Sequence, residues 1–163
     1  MKEEGFSLIE LIVVIGIIAI ILSIATISFN SWQVKYNVEK QTKEMLADFT
    51  TERIHAMHAK KPIRLTLQPN NYAFKIYSSE SEFTNFPGSG IVTMNKSIRY
   101  QITKGDGSSI TGTIINFDTR GFADNSQTVK ITSSNNNAAV DCLNISTAIT
   151  NMGKMENATC ESK

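Results

Sequence analysis

One carboxylate stands where its neighbours make a charge unfavourable. Glu10 lies close to the start of an almost wholly apolar run over residues 8–29. An acid within a membrane-spanning helix costs about 2.5–3.5 kcal/mol on insertion scales, and such acids are functional candidates. Glu10 is therefore interpreted either as a helix-end charge that reaches the lipid headgroups or as a buried acid that awaits a cationic partner.

The two cysteines form the second group with possible chemistry. Cys142 and Cys160 both lie near the carboxyl end, without a cluster of other metal-binding residue types around them. This pattern favours a disulfide over a zinc site, with free or reactive thiols as the alternative. A bridge that closes a loop of roughly 19 residues would stabilise the fold by ~3 kcal/mol in the chain-entropy model. A disulfide also indicates an oxidising compartment, across a membrane from the ribosome.

Histidine, aspartate and basic residues form weaker groups. His55 and His58 are three residues apart, with Glu52 one turn earlier, but third and fourth metal ligands are not evident nearby. We therefore expect surface histidines, no metal and no cofactor. Three aspartates lack the spacing of a calcium loop and are expected to be solvated turn residues: Asp106, Asp118 and Asp124. Lys60, Lys61 and Arg64 form a small basic cluster, to which nearby strands would add Lys96 and Arg99. Such basic residues can bind phosphates, but a solvated surface is expected because the net charge is nearly neutral.

Composition and motifs argue against catalysis. The 163 residues carry a net charge of +1, which gives no general case for binding nucleic acid or an acidic substrate. The sequence contains no Ser-His-Asp pattern, no Gly-rich phosphate loop and no pair of catalytic carboxylates. It therefore predicts a protein that is not an enzyme.

A long helix must position the carboxylate in the apolar run. The run is long enough to span a bilayer, which needs about 20 residues, and it exceeds the ~7–15-residue core of a secretory signal. The alternative, a cleaved signal with a mature start near Thr26, lacks a clean Ala-x-Ala site. Because neither Gly nor Pro follows the run until Pro62, one helix is expected from about Ser7 to Lys60.

The second half of this helix is amphipathic, and a strand pattern follows it. Apolar residues at 3.6-residue spacing predict a face that packs on a sheet: Val34, Val38, Met45, Leu46, Phe49 and Ala56. Arg53 falls on this stripe and Ile54 falls off it. Beyond the helix, a period of two predicts strands over 63–67, 72–77, 97–103, 111–117, 128–132 and 140–145. A polar loop is expected over 78–90 and a tight turn over 104–107. The predicted fold class is α+β, a long helix packed on an antiparallel sheet domain.

The segment Gly5-Phe6-Ser7-Leu8-Ile9-Glu10-Leu11 resembles the prepilin signal of type IV pilins and type II secretion pseudopilins. The resemblance implies that a prepilin peptidase cuts between Gly5 and Phe6 on the cytoplasmic face and N-methylates Phe6. Methylation leaves the new amine charged, so Glu10 of one subunit would neutralise the Phe6 amine of a neighbour during assembly. The implied division is a leader over 1–5, a transmembrane and filament-core helix over 6–29, its amphipathic continuation over 30–61 and a periplasmic β-rich domain over 62–163.

The carboxy-terminal half resembles the GspH/FimT group of minor pseudopilins and minor pilins. The similar segments are 115–121, 129–131, 141–146, a turn at Gly153 and Cys160. Ile27 stands where many members carry a proline, and its presence argues against a kink there. Gly-Lys-Met-Glu at 153–156 stands where DNA-binding members carry a Gly-Arg-x-Arg motif, so Lys154 is the one candidate contact to nucleic acid and DNA binding is disfavoured.

The resemblance implies a structural role. A minor pilin or pseudopilin would be held in the bacterial inner membrane by a single helix, with its globular domain periplasmic or extracellular. It would then enter a filament that it primes or caps. Its expected partners are the prepilin peptidase, other major and minor pilins or pseudopilins, and the inner-membrane assembly platform. The alternative is a DNA-binding minor pilin that serves DNA uptake in natural transformation.

Overall fold

The computed structural model describes residues 7–133 and 137–162, and over 24–28 it describes the backbone alone. One long helix comes first, and short strands and one short helix follow it. In chain order the elements are α1 (Leu8–Ala59), β1 (Ile63–Gln68), β2 (Asn71–Ile76), α2 (Glu80–Asn85), β3 (Ile91–Ser97), β4 (Ile102–Lys104), β5 (Thr113–Phe117), β6 (Gln127–Ile131), β7 (Cys142–Ile145), β8 (Thr150–Glu156) and β9 (Thr159–Ser162). The predicted α+β class is confirmed.

The long helix ends where the sequence indicates. Ser7 precedes α1 in an extended conformation, and Lys60 follows its last residue in the left-handed region with φ 54°. The Lys60 N–H donates to the Ala56 carbonyl oxygen, which closes the last turn. Pro62 then pushes the preceding residue towards extended geometry. The expected helix from about Ser7 to Lys60 is confirmed.

The strands form two antiparallel sheets, a division that the period-two pattern did not indicate. The first sheet has the order β3-β2-β1-β5 and the second has the order β4-β6-β7-β8-β9. In the first sheet Leu65 lies opposite Phe74 on one neighbouring strand and Ile115 on the other. Residues directly opposite each other point to the same face of a sheet. All three are buried, so this face lies against the core.

The apolar stripe of α1 packs into this core, as predicted. Four of its members are fully buried and two are partly buried: Val38, Met45, Phe49 and Ala56, and then Val34 and Leu46. The Phe49 ring meets Tyr72 and Phe74 edge-on, with ring centroids 5.4 and 5.6 Å apart. Ile54, which falls off the stripe, is exposed. Aromatic pairs in this geometry add about 0.5–1.5 kcal/mol to the area they bury.

Three details of the predicted pattern are wrong. The polar loop over 78–90 contains α2, the strand over 97–103 is divided between β3 and β4, and Gly153 lies within β8 instead of in a turn. The Ser79 side chain caps α2 by accepting the Glu82 N–H at 3.2 Å. This Ser-x-x-Glu capping signal was available in the sequence. The predicted pattern also lacked β8 and β9, because their largely polar residues carry no comparable local signal.

Candidate functional site on the long helix

The first turn of α1 holds Glu10 at the positive end of the helix. The N–H groups of Glu10 and Leu11 donate to the Ser7 carbonyl oxygen at 3.1 and 3.2 Å. The Glu10 side chain is exposed, and no cation among residues 7–133 and 137–162 forms an ion pair with it. The helix dipole favours a carboxylate in this turn by about 0.3–1 kcal/mol. The geometry therefore presents the acid to groups from outside the folded domain.

The helix surface beyond Glu10 is apolar on every side. Twelve large hydrophobic side chains between Leu8 and Leu22 are exposed, from 43% at Val14 to 75% at Leu8. They occupy nearly every position, so this segment has no polar face. An exposed apolar surface of this size is typical of a contact with a membrane or with another protein. In the part of the chain that the structure describes, no helix is both long and apolar enough to cross a membrane.

The second half of α1 is fastened to the second sheet by Arg53. Its buried guanidinium donates to the carbonyl oxygens of Ser146 and Thr147 at 3.0 and 3.4 Å and to the Thr150 hydroxyl at 3.3 Å. It also lies 5.1 Å from the centroid of the Phe117 ring. Burial lowers the pKa of the Arg53 guanidinium. The sequence places this arginine on the apolar stripe but carries no signal for the carbonyl oxygens that compensate its charge.

Asp48 forms a second polar link, between α1 and the first sheet. Its carboxylate accepts hydrogen bonds from the Tyr72 hydroxyl and from Lys96 Nζ, the latter at 2.9 Å. Glu44, one turn earlier on α1, lies 3.7 Å from the same ammonium group. Burial, the hydrogen bond to Asp48 and the nearby negative charges raise the pKa of Tyr72. The phenol therefore stays neutral and keeps its role as a donor to the helix.

Cys142 and Cys160 form the disulfide that the sequence predicts. The bridge joins β7 and β9, the two strands on either side of β8. On β8, Gly153 lies opposite Cys142. A Cβ atom at Gly153 would lie 2.0 Å from the Glu161 carbonyl oxygen, so a side chain there would collide with β9. Glycine permits this close backbone approach.

Lys154, the candidate contact to nucleic acid, is paired within the fold. Its ammonium donates to the Asp141 carboxylate at 2.8 Å, and the other oxygen of that carboxylate accepts the Met155 N–H at 2.7 Å. Asp141 is buried and the lysine is partly buried. Because this cation already has a close anionic partner, the structure gives it no particular role as a phosphate contact.

The five basic residues considered together do not form one patch. Lys96 lies opposite Tyr72, on the face of the first sheet that packs on α1. Arg64 alternates with the buried Ile63 and Leu65, so it lies on the opposite face. There its guanidinium stacks 4.6 Å from the centroid of the Phe83 ring. The sheet therefore separates these charges.

The histidines and turn aspartates have local partners. His55 Nδ1 lies 3.3 Å from Glu52 Oε2, and His58 is exposed. Within the described ranges, no three His, Cys, Asp or Glu side chains come together as metal ligands. The aspartates accept backbone N–H groups in turns: Asp106 from Ser108, Asp118 from Arg120 and Phe122, and Asp124 from Asn116.

Comparison with known proteins bears on the start of the chain. Residues 1–26 match the family model described as the prokaryotic N-terminal methylation motif. The chain carries a type IV pilin-like leader. Such a leader implies processing by a prepilin peptidase and assembly with other pilins, in a structural role at a membrane. No curated protein and no solved structure matches the chain.

The match has limits along the chain. The predicted cut between Gly5 and Phe6 falls inside the matched segment but outside the residues that the structure describes. Glu10 falls inside both. The match ends at residue 26, so the GspH/FimT resemblance of the carboxy-terminal half stays a prediction.

Proposed function

We propose that the protein is a minor subunit of a type IV pilus or of a type II secretion pseudopilus, which primes or caps the filament. In this proposal the peptidase removes residues 1–5 and methylates Phe6. Residues 6–29 hold the subunit in the inner membrane as a single span, and the remainder is exported. The subunit then leaves the membrane and joins other pilins or pseudopilins through the same apolar helix.

The observation that carries this proposal is the apolar surface of α1 between Leu8 and Leu22. Burying one Leu, Ile or Val side chain stabilises by about 1.5–3 kcal/mol, and twelve of them are exposed in this segment. A helix that is hydrophobic all round is buried all round. The Ser23 hydroxyl donates to the Ala19 carbonyl oxygen at 2.8 Å, so this polar group is satisfied within the helix, as an apolar surrounding requires.

Glu10 supplies the specificity that apolar packing lacks. Cleavage would create a positive amine at Phe6, four residues before the carboxylate and at the same end of α1. In a filament, the acid of one subunit and the amine of its neighbour would form a charge-assisted pair. Leaving one partner buried without the other costs about 3–5 kcal/mol, so the pair would set the axial register of adjacent subunits.

Two features of the domain formed by the sheets support the proposal, the first its export and the second its minor role. Its disulfide fits an oxidising compartment outside the cytoplasm. Its carboxy-terminal segments resemble the GspH/FimT group, whose members are minor subunits. We do not extend the proposal to DNA uptake, because the ammonium of Lys154 is engaged by Asp141 at 2.8 Å.

The test uses Glu10→Ala, with Glu44→Ala as the control, a partly buried glutamate of the same helix that lies outside the apolar segment. Mass spectrometry of the mature protein should find methylated Phe6 at the start of both variants. The amount of the Glu10→Ala variant in sheared filaments should then be at least about tenfold lower than that of the unmodified chain. A tenfold decrease requires a loss of only ~1.4 kcal/mol in the free energy of incorporation. Glu44→Ala should be incorporated normally. A mature start near Thr26, or normal incorporation of Glu10→Ala, would overturn the proposal.

The minor role has a separate measurement. Quantitative blotting of purified filaments should find this chain at a small fraction of the abundance of a major subunit. Filaments composed mainly of this chain would instead identify it as the major subunit, while leaving the assembly mechanism unchanged.

A further inference from the structure

Three exposed aromatic rings stand in a row on α1 where its apolar segment ends. Phe29, Trp32 and Tyr36 are 53–60% exposed. The Trp32 ring centroid lies 6.2 Å from that of Phe29 and 5.7 Å from that of Tyr36, and it is stacked on the latter. We call these three residues the aromatic ladder. Single exposed apolar side chains are common, but a contiguous exposed patch of large ones is typical of a contact with a membrane or another protein.

The ladder faces away from the folded domain. At about 100° per residue, its three members project within a sector of roughly 60° on the helix. The buried Val38 and Met45 lie on the other side of the same helix. The two sheets therefore leave the ladder uncovered.

The axial distance from the start of α1 to the ladder matches the thickness of the hydrocarbon core of a bilayer. The helix rises about 1.5 Å per residue, so Leu8 and Phe29 stand about 31 Å apart along its axis. The hydrocarbon core of a bilayer is about 30 Å thick. The sequence also becomes polar at this level, with Asn30, Ser31 and Gln33 interleaved among the rings. The ladder thus begins where a helix that enters the bilayer near Leu8 would leave it.

We propose that the aromatic ladder is a membrane-interface anchor, which lies in the phospholipid headgroup layer on the exported face before the subunit is assembled. This inference rests on the proposed membrane span. Trp and Tyr suit that layer because each combines an apolar ring with a polar N–H or O–H that remains wet. The anchor would fix the depth of α1 and hold the sheet domain at a defined height above the lipid.

The charged side chains beside the ladder are of both signs, with Lys35 between Trp32 and Tyr36 in the sequence. Lys40, which follows Tyr36 on the same side of α1, lies 3.8 Å from the Glu44 carboxylate. Tyr36, Glu39, Lys40, Lys43 and Glu44 line one surface groove of about 250 Å³, so charges of both signs are present there. The rings, and not a basic cluster, would therefore supply the contact with the interface.

The chain contains a single tryptophan, and it lies in the middle of the ladder. Its fluorescence can therefore be read in the full-length chain reconstituted into phosphatidylcholine–phosphatidylglycerol vesicles. Lipids brominated near the headgroup should quench Trp32 roughly twofold more than lipids brominated deep in the acyl chain, because the ring sits at the interface. Aqueous iodide should quench it less than it quenches the same chain unfolded in urea.

Two relocated reporters serve as controls. In the Trp32→Phe, Ile15→Trp double variant the tryptophan marks the middle of the proposed span, and lipids brominated deep in the acyl chain should quench it. In the Trp32→Phe, Phe86→Trp variant it marks an exposed position of the sheet domain, where only iodide should quench it.

These controls separate the possible failures. If the reporter at position 15 is not quenched by deep bromines, the proposed membrane span itself is overturned. If that reporter is quenched but Trp32 remains open to iodide and insensitive to brominated lipid, the anchor alone is overturned. Protection of Trp32 that appears only at high protein-to-lipid ratio would also overturn the anchor, since a second copy would then cover the ladder.

Discussion

The two halves of α1 form one continuous helix but differ in whether the rest of the chain covers their apolar side chains. Between Leu8 and Leu22 large apolar side chains occur at nearly every position and remain exposed. Between Val38 and Ala56 they recur on one stripe, and that stripe is buried against the sheets. The first half needs partners from outside the chain, whereas the second finds them within it.

This difference separates folding from assembly within one element. Substitutions in the second half should change the stability of the domain, because their side chains pack in its core. Substitutions in the first half should leave that stability unchanged and should alter membrane or filament contacts instead. The four predictions below test this separation, from the largest expected effect to the smallest.

The sharpest comparison sets Phe49→Ala against Ile15→Ala. Phe49 is fully buried, so its truncation should lower the free energy of unfolding by about 3–5 kcal/mol. Ile15 is 57% exposed, and its truncation should change that free energy by less than about 0.5 kcal/mol. Urea unfolding of the chain in detergent micelles, followed by near-ultraviolet circular dichroism, measures both. Equal losses would break the separation between the halves.

Arg53→Ala tests whether polar contacts also fasten the second half. The variant leaves the carbonyl oxygens of Ser146 and Thr147 without their charged donor, so we expect a loss of about 1.5–3 kcal/mol in the same assay. Arg99→Ala is the matched control, because Arg99 is exposed and its guanidinium carbon lies 5.7 Å from the centroid of the Tyr100 ring. If Arg99→Ala loses as much unfolding free energy as Arg53→Ala, the hydrogen bonds of the buried Arg53 guanidinium do not account for the loss.

Gly153→Ala asks whether the edge of the second sheet is as tightly packed as the helix stripe. The new Cβ would collide with the backbone of β9 at Glu161, and we expect a loss of about 1–3 kcal/mol in unfolding free energy. Gly88→Ala is the control, since a Cβ there meets nothing within 4 Å. Thermal unfolding should therefore distinguish the two variants, and similar midpoints would contradict the close approach.

The smallest effect concerns acid stability. Partial burial raises the pKa of Asp118, but hydrogen bonds from the Phe122 N–H and from Arg120 outweigh it, and the net pKa is lowered. The folded pKa therefore lies below the unfolded value of about 3.9. The carboxylate stabilises the fold above that value, and this contribution is lost as the pH falls through the folded pKa.

Asp118→Asn should consequently flatten the fall in stability below about pH 4 and cost less than about 1 kcal/mol at neutral pH. Urea midpoints measured between neutral and acidic pH provide the test. Ile15→Ala should keep the acid slope of the unmodified chain, because its side chain lies outside the domain. An unchanged slope in Asp118→Asn would refute the assignment.

Much of α1 could be predicted from its residues alone. The spacing of the stripe that includes Val38 and Phe49, and the stop at Pro62, are properties of neighbouring positions. The exposed acid at Glu10 and the leader motif are likewise local. The capping pair Ser79 and Glu82 was equally local and would have located α2.

The polar contacts between distant residues and the strand order could not be predicted from the sequence in this way. Arg53 and the Ser146 carbonyl oxygen are 93 positions apart, and Lys154 and Asp141 are 13 apart. Nothing in the local pattern of either residue distinguishes a paired cation from a solvated one. The prediction of a turn at Gly153 was wrong for a related reason. Glycine is required at this position because the backbone of β9 approaches closely, and not because the chain bends there.

By itself, the sequence determined that one helix carries a leader motif, an acid in its first turn and two successive kinds of surface. Periodicity, caps and motifs act over a few residues, so they can be read directly from the chain. Only the tertiary structure decided that the strands divide into two sheets, that Lys154 is held by Asp141 and that Arg53 is held by carbonyl oxygens. These features depend on which distant segments pair, and pairing is set by the packing of the whole domain around the second half of α1.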